Sequence, residues 1–138
     1  MKRTFYSVCA AVVAMILQFN MVFAYGSQQE GRLGSVTVRV SNEINVTKTE
    51  ANAITWTSNQ ASSAYVSAEF YWVDYANENM SRTTRSFGNS GSAGVYGHGT
   101  ESYDGQTVSV YYYQVISYHR ASYGGATYTY PDLSIFVQ

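Results

Sequence analysis

Charged residues make up only 12% of the 138 positions, and cysteine and proline occur once each. The single cysteine is Cys9, close to the N-terminus, so no disulfide can staple the rest of the chain and no thiol can act in it. Histidine occurs twice, as His98 and His119. Two histidines without a ligand spacing such as His-x-x-x-His do not form a closed metal site, even with Glu101 and Asp104 nearby, so neither metal nor cofactor is expected. No long stretch beyond the first residues carries apolar side chains at helical spacing, which excludes helical bundles and alternating α/β folds. Without such helices, no glycine-rich phosphate loop can open onto one.

The N-terminus has the layout of an export signal. Lys2 and Arg3 form a positive start, Phe5 to Leu17 is almost wholly apolar, and Val22-Phe23-Ala24 offers small residues to a signal peptidase. Cleavage is expected between Ala24 and Tyr25. The apolar run is shorter than the roughly 20 residues of a spanning helix and is followed by Gln18 and Asn20, so no stable membrane span is expected after processing. The expected organisation is a signal-peptide helix over 1–24, a flexible lead over 25–34 and one β-domain over 35–138, in a secreted protein. Loss of Lys2 and Arg3 leaves six basic residues against nine acidic ones, a net charge of −3. A chain so poor in cations is a poor binder of nucleic acid.

From Ser35 the dominant period is two, the signature of half-buried strands. Val36, Val38 and Val40 share one face, and Ile44 and Val46 continue the pattern. Ile54 pairs with Trp56. Ala64, Val66, Ala68, Phe70 and Trp72 point one way, with Tyr65, Ser67, Glu69 and Tyr71 opposite. "SRTTRSF" reads as a polar edge strand guarded by Arg82 and Arg85. Residues 88–105 are rich in glycine and read as turns around a short strand at Ala93 to His98, with Tyr103-Asp104-Gly105 turning into the next strand. In the tyrosine-rich stretch, Val108, Val110, Tyr112, Ile116 and Tyr118 are expected inside. Thr107, Tyr111, Tyr113, Val115, Ser117 and His119 are expected outside. Tyr123-Gly124-Gly125 should turn into "ATYTY", Pro131 should end that strand, and Leu133, Ile135 and Val137 should align in a last one. Seven or eight short strands make an antiparallel β-sandwich, Ig-like or jelly-roll-like, with a small barrel as the alternative.

Outward tyrosines are the candidate binding residues: Tyr65 and Tyr71 on one strand, Tyr111 and Tyr113 on the other. On neighbouring strands they would form an aromatic platform able to stack on sugar rings or a peptide, or a ladder that only stabilises the sheet. The uncharged, proline-free stretch from Thr107 to Tyr118 could also pair with copies of itself if it lay at an edge. "GNSGSAG" at Gly88 to Gly94 resembles the nucleophile loop of secreted chymotrypsin-like glutamyl endopeptidases, with Ser90 in the nucleophile's place. That fold needs two barrels, and 114 residues make about one. A glycosidase carboxylate pair would have to come from Glu69, Asp74, Glu78, Glu101 and Asp104. Asn45-Val46-Thr47 and Asn79-Met80-Ser81 match the N-glycosylation pattern, which matters only in a eukaryotic host.

"SSAY" at Ser62 to Tyr65, "AGVYGHGT" at Ala93 to Thr100 and the following "TVSVYYY" resemble the Sec-exported bacteriocins of the lactococcin 972 type. That resemblance implies a small cysteine-free β-sandwich with antibacterial action at the cell envelope. The broader expectation is a non-enzymatic secreted protein that binds an envelope or extracellular glycan, or a surface protein, through its tyrosines.

Overall fold

The computed structural model describes the backbone of residues 23–138 and the side chains from residue 25 onward. The expected signal-peptide helix lies outside the described residues. Strands follow directly from the alternating pattern, and among the described residues there is no helix. In order they are β1 (Phe23–Leu33), β2 (Val36–Asn45), β3 (Ala51–Thr57), β4 (Ser63–Asp74), β5 (Met80–Ser90), β6 (Ser92–Gly97), β7 (Thr100–Tyr103), β8 (Gln106–Tyr123) and β9 (Ala126–Phe136). They form two antiparallel sheets. The first runs β1-β2-β3-β6, and the second runs β5-β4-β8-β7 with β9 also on β8.

The inward faces of both sheets share one core, in which Ile44, Ala53 and Val95 of the first sheet meet Val66, Phe70, Trp72 and Tyr112 of the second. Trp72, Tyr112 and Phe70 are its largest fully buried side chains, each stabilising the fold by roughly 1.5–3 kcal/mol through removal from water. A second cluster (Val36, Val38, Val40 with Ala121 and Leu133) fills the opposite end, flanked by Tyr128 and Tyr130. The Tyr128 ring lies against Gly31 of β1, where a Cβ would stand 2.1 Å from the ring.

Several expectations need correcting. Residues 25–34 are not a loose lead: all but Gly34, which turns into β2, belong to β1, and β1 pairs with β2 from Leu33↔Val36 to Phe23↔Asn45. Polar side chains on both faces of this edge strand hid its extended form, since it is held by backbone bonds. Val46 is 56% exposed, because the chain has already left β2 for the turn to β3. Ile54 and Trp56 are buried as expected, yet they sit on the side of β3 opposite Ala53 and Thr55, with the Arg39 guanidinium 5.2 Å over the Trp56 ring. Residues 88–105 are mostly strand, and only their joints turn, at Gly91 (φ 79°), Gly99 (φ 77°) and Asp104-Gly105 (φ 53° and 75°). Two positive φ values in a two-residue connection are the hairpin turn that matches strand twist. Pro131 does not end a strand: it falls at the register shift between the pairs Ser117↔Leu133 and His119↔Tyr130, a place where its missing N–H is tolerated.

The largest correction is in β8. Opposite β4 the register runs Tyr71↔Gln114 and then Trp72↔Tyr112, which leaves Tyr113 as an extra residue. Such a bulge shifts the pleat by one and exchanges the faces beyond it. Val110 and Tyr112 therefore point inward, and so do Val115, Ser117, His119 and Ala121. Ile116 and Tyr118, expected in the core, belong to the outer face with Arg120. Within the Thr107–Tyr118 stretch, residues from Gln114 onward pair with both β4 and β9, Val110 to Tyr112 pair with β4, and Thr107 to Ser109 pair with β7, so no part of it lacks a partner strand.

Candidate functional site

The outer face of the second sheet gathers the aromatic side chains into a row. Arg82 of β5 is opposite Tyr71 of β4, Tyr71 is opposite Gln114 of β8, and Gln114 is opposite Phe136 of β9. The bulge places the Tyr113 ring in this row, with its centroid 6.2 Å from that of Tyr71 and 6.0 Å from that of Phe136. The rings are tilted or edge-on to each other, as aromatic quadrupoles prefer. Phe136 is 59% exposed and Met80 65%. Tyr71, Met80, Ser81, Arg82 and Tyr113 line an open depression of about 340 Å³.

Charge within the row is neutralised locally. Arg82 Nη1 lies 3.1 Å from Glu69 Oε2 and donates to the Tyr71 hydroxyl at 3.3 Å, and that hydroxyl donates to Glu69 Oε1 at 3.3 Å. The Tyr71 hydroxyl and the Glu69 charge raise the Arg82 guanidinium above its usual range. Burial, and then the neighbouring Tyr71, push the Tyr113 phenol up. Both groups stay in their neutral-pH forms, so the row presents aromatic faces rimmed by a closed ion pair.

Of the four tyrosines expected to bind, Tyr71 and Tyr113 are brought together. Tyr111 pairs instead with Tyr75 of the turn after β4, at 5.1 Å between centroids. Tyr65 lies six residues from Tyr71, roughly 20 Å along the strand, where it packs on Tyr118 (6.3 Å) and carries the Arg120 guanidinium 4.7 Å over its ring. Phe136, Arg82, Tyr118 and Arg120 were not legible as partners, because their meeting depends on strand order and on the bulge.

Two polar clusters lie inside. His119 is fully buried, with Nδ1 2.8 Å from Thr55 Oγ1 and Nε2 2.6 Å from Ser117 Oγ. Ser117 donates to Asn42 Oδ1, and the Asn42 amide donates to the carbonyls of Leu133 (2.7 Å) and Val115 (3.3 Å). Because Ser117 gives its proton to Asn42, Nε2 of a neutral ring is the donor to Ser117. The Thr55 hydroxyl lies 2.8 Å from both Nδ1 and the Tyr65 carbonyl, and its one proton is shared between these two acceptors. Burial pushes the imidazole down to about 4. Although a serine touches a histidine here, Ser117 is only 1% exposed, so no substrate reaches the pair.

The second cluster centres on Glu101, which accepts from both Arg85 nitrogens (3.0 and 2.8 Å) and from the Tyr112 hydroxyl (2.6 Å). Burial pushes its carboxyl up, but hydrogen bonds from Arg85, Tyr112 and Thr83 with the Arg85 charge outweigh it and hold the group below its usual range. Burial and Glu101 together raise the Tyr112 phenol. Arg85 thus guards the β5 edge from inside, while Arg82 does so from outside.

Ser90 ends β5 opposite Ser63. Neither histidine serves it: His98 is bound to Glu50 at 3.0 Å, and His119 is in the interior. Among the described residues no three of His, Cys, Asp and Glu gather as a metal-holding group. No family model matches the chain, and no curated protein or solved structure is detectably similar to it.

Proposed function

We propose that this protein is an exported, non-enzymatic β-sandwich that binds an extracellular or cell-envelope glycan through the Tyr71–Tyr113–Phe136 row. The observation that carries the reading is the row itself: Tyr113 in ring contact with Tyr71 on one side and Phe136 on the other, on an open sheet face beside a depression of about 340 Å³. Aromatic rings suit the apolar faces of sugars, and the Arg82–Glu69 pair offers donors and acceptors to their hydroxyls without adding net charge. The inner faces are fully used in the shared core, which leaves the outer face for contact. The finer architecture proposed is a sandwich of Ig-like or jelly-roll-like layering.

Retention of purified protein on insoluble cell-wall polysaccharide tests the reading. Truncating two central aromatics of a contact surface commonly weakens binding by about tenfold or more, so Tyr71→Ala/Tyr113→Ala should release most of the bound protein. Equal retention of both forms removes the proposal. A second reading, an antibacterial protein, rests on the bacteriocin-like stretch Ala93 to Thr100, which forms β6 and the crossing to β7. A zone of growth inhibition around purified protein would favour it.

A further inference from the structure

The cations of the outer face are not equivalent. Arg82 is held by Glu69 and by the Tyr71 hydroxyl. Arg120 is exposed, stacks 4.7 Å over the Tyr65 ring, and has no carboxylate partner among the described residues. Arg120 therefore leaves one unneutralised positive charge at one end of the face, on a chain whose processed form is expected to be acidic overall. Between this end and the Tyr71–Tyr113 row lie Ser67, to which Ser86 donates at 2.8 Å, then Thr84 and Ile116 on either side of Glu69, whose carboxylate is neutralised by Arg82 at 3.1 Å.

We infer that the outer face is a two-station surface for an extended anionic polysaccharide. Tyr71, Tyr113 and Phe136 take uncharged sugar faces. Tyr65, Tyr118 and Arg120, roughly 20 Å away along β4, take a ring bearing a carboxylate. The Arg120 guanidinium lies 4.7 Å over the Tyr65 ring, and its planar fork of N–H donors suits a two-pronged hydrogen bond to a carboxylate. The inference deepens the glycan-binding reading and rests on it.

The test is calorimetric binding of polygalacturonate oligomers and of their carboxyl-reduced, neutral counterparts of the same length. The wild-type protein should bind the acidic oligomers about tenfold more tightly, as expected for one charge-assisted contact. Arg120→Gln should remove that preference and leave neutral binding unchanged, while Arg120→Lys should keep part of it. Arg32→Gln, the same change of net charge on exposed β1, should leave the preference intact. Equal binding of acidic and neutral oligomers by the wild type overturns the inference and leaves glycan binding standing. Equal losses in Arg32→Gln and Arg120→Gln also overturn it, because net charge alone would then explain the preference. Failure to bind either polymer overturns both readings.

Discussion

His119 makes the stability of this fold depend on pH between about 6.5 and 4. The ring is buried between Thr55 and Ser117, and burial depresses it to about 4, against an ordinary value near 6.5. Below about pH 6.5 the unfolded chain takes up a proton on this residue and the folded chain does not. Stability that is fully present at pH 7 is therefore lost as the pH falls towards 4. Each unit of pH in that window is worth about 1.4 kcal/mol. Between pH 6.5 and 5 the loss should reach about 2 kcal/mol, which moves a urea midpoint down by roughly 1 M for a domain of this size. The assay is urea unfolding followed by circular dichroism at pH 7, 6.5, 6, 5.5 and 5. His119→Gln should be less stable at pH 7 but with most of this slope removed over the same range. A wild-type midpoint that does not move, or a slope that survives in His119→Gln, would refute the reasoning.

Other substitutions probe the same interior. Asn42→Ala removes two amide donors from the carbonyls of Leu133 and Val115 and the acceptor of Ser117. It should destabilise by about 3–5 kcal/mol in the same unfolding assay, because buried polar groups lose their partners. Glu101→Gln leaves the Arg85 guanidinium without its counter-charge and should cost about 2–3 kcal/mol at pH 7. The loss should shrink as the pH falls below about 4.5, where the unfolded wild-type chain takes up a proton at Glu101 while the folded carboxyl, held lower, does not. Gly97→Ala places a Cβ 2.5 Å from the Tyr112 ring, which Glu101 holds in place. Overpacking of roughly 1–3 kcal/mol should lower the thermal midpoint.

Much of the architecture was written in period-two alternation. Strand β4 alternates without interruption from Ala64 to Trp72, and its buried and outward residues were read correctly. The hairpins at Asp104-Gly105 and Gly124-Gly125 were legible from turn chemistry, and both adopt positive φ at each residue. The bulge was not legible. "YYYQ" offers three identical side chains that fit either face, with no glycine to mark an extra residue, so the phase of Val115 to Ala121 could not be read locally. That one residue decides whether His119 or Tyr118 is inside. Strand β1 escaped because "GSQQEGR" has no apolar alternation, and its pairing with β2 is a backbone property. Tyr71 and Tyr113 were identified as outward aromatics, whereas Phe136 and Arg120 join the face only through the pairing of β9 and the shifted pleat of β8.

The most direct measurement of the central claim is a titration of isotope-labelled protein with a soluble cell-wall oligosaccharide, followed by amide chemical shifts. The account predicts saturable shifts clustered at Tyr71, Arg82, Tyr113 and Phe136 on the outer face of the second sheet. Shifts concentrated on the first sheet, or no saturable shift at that row while the ligand binds, would contradict it.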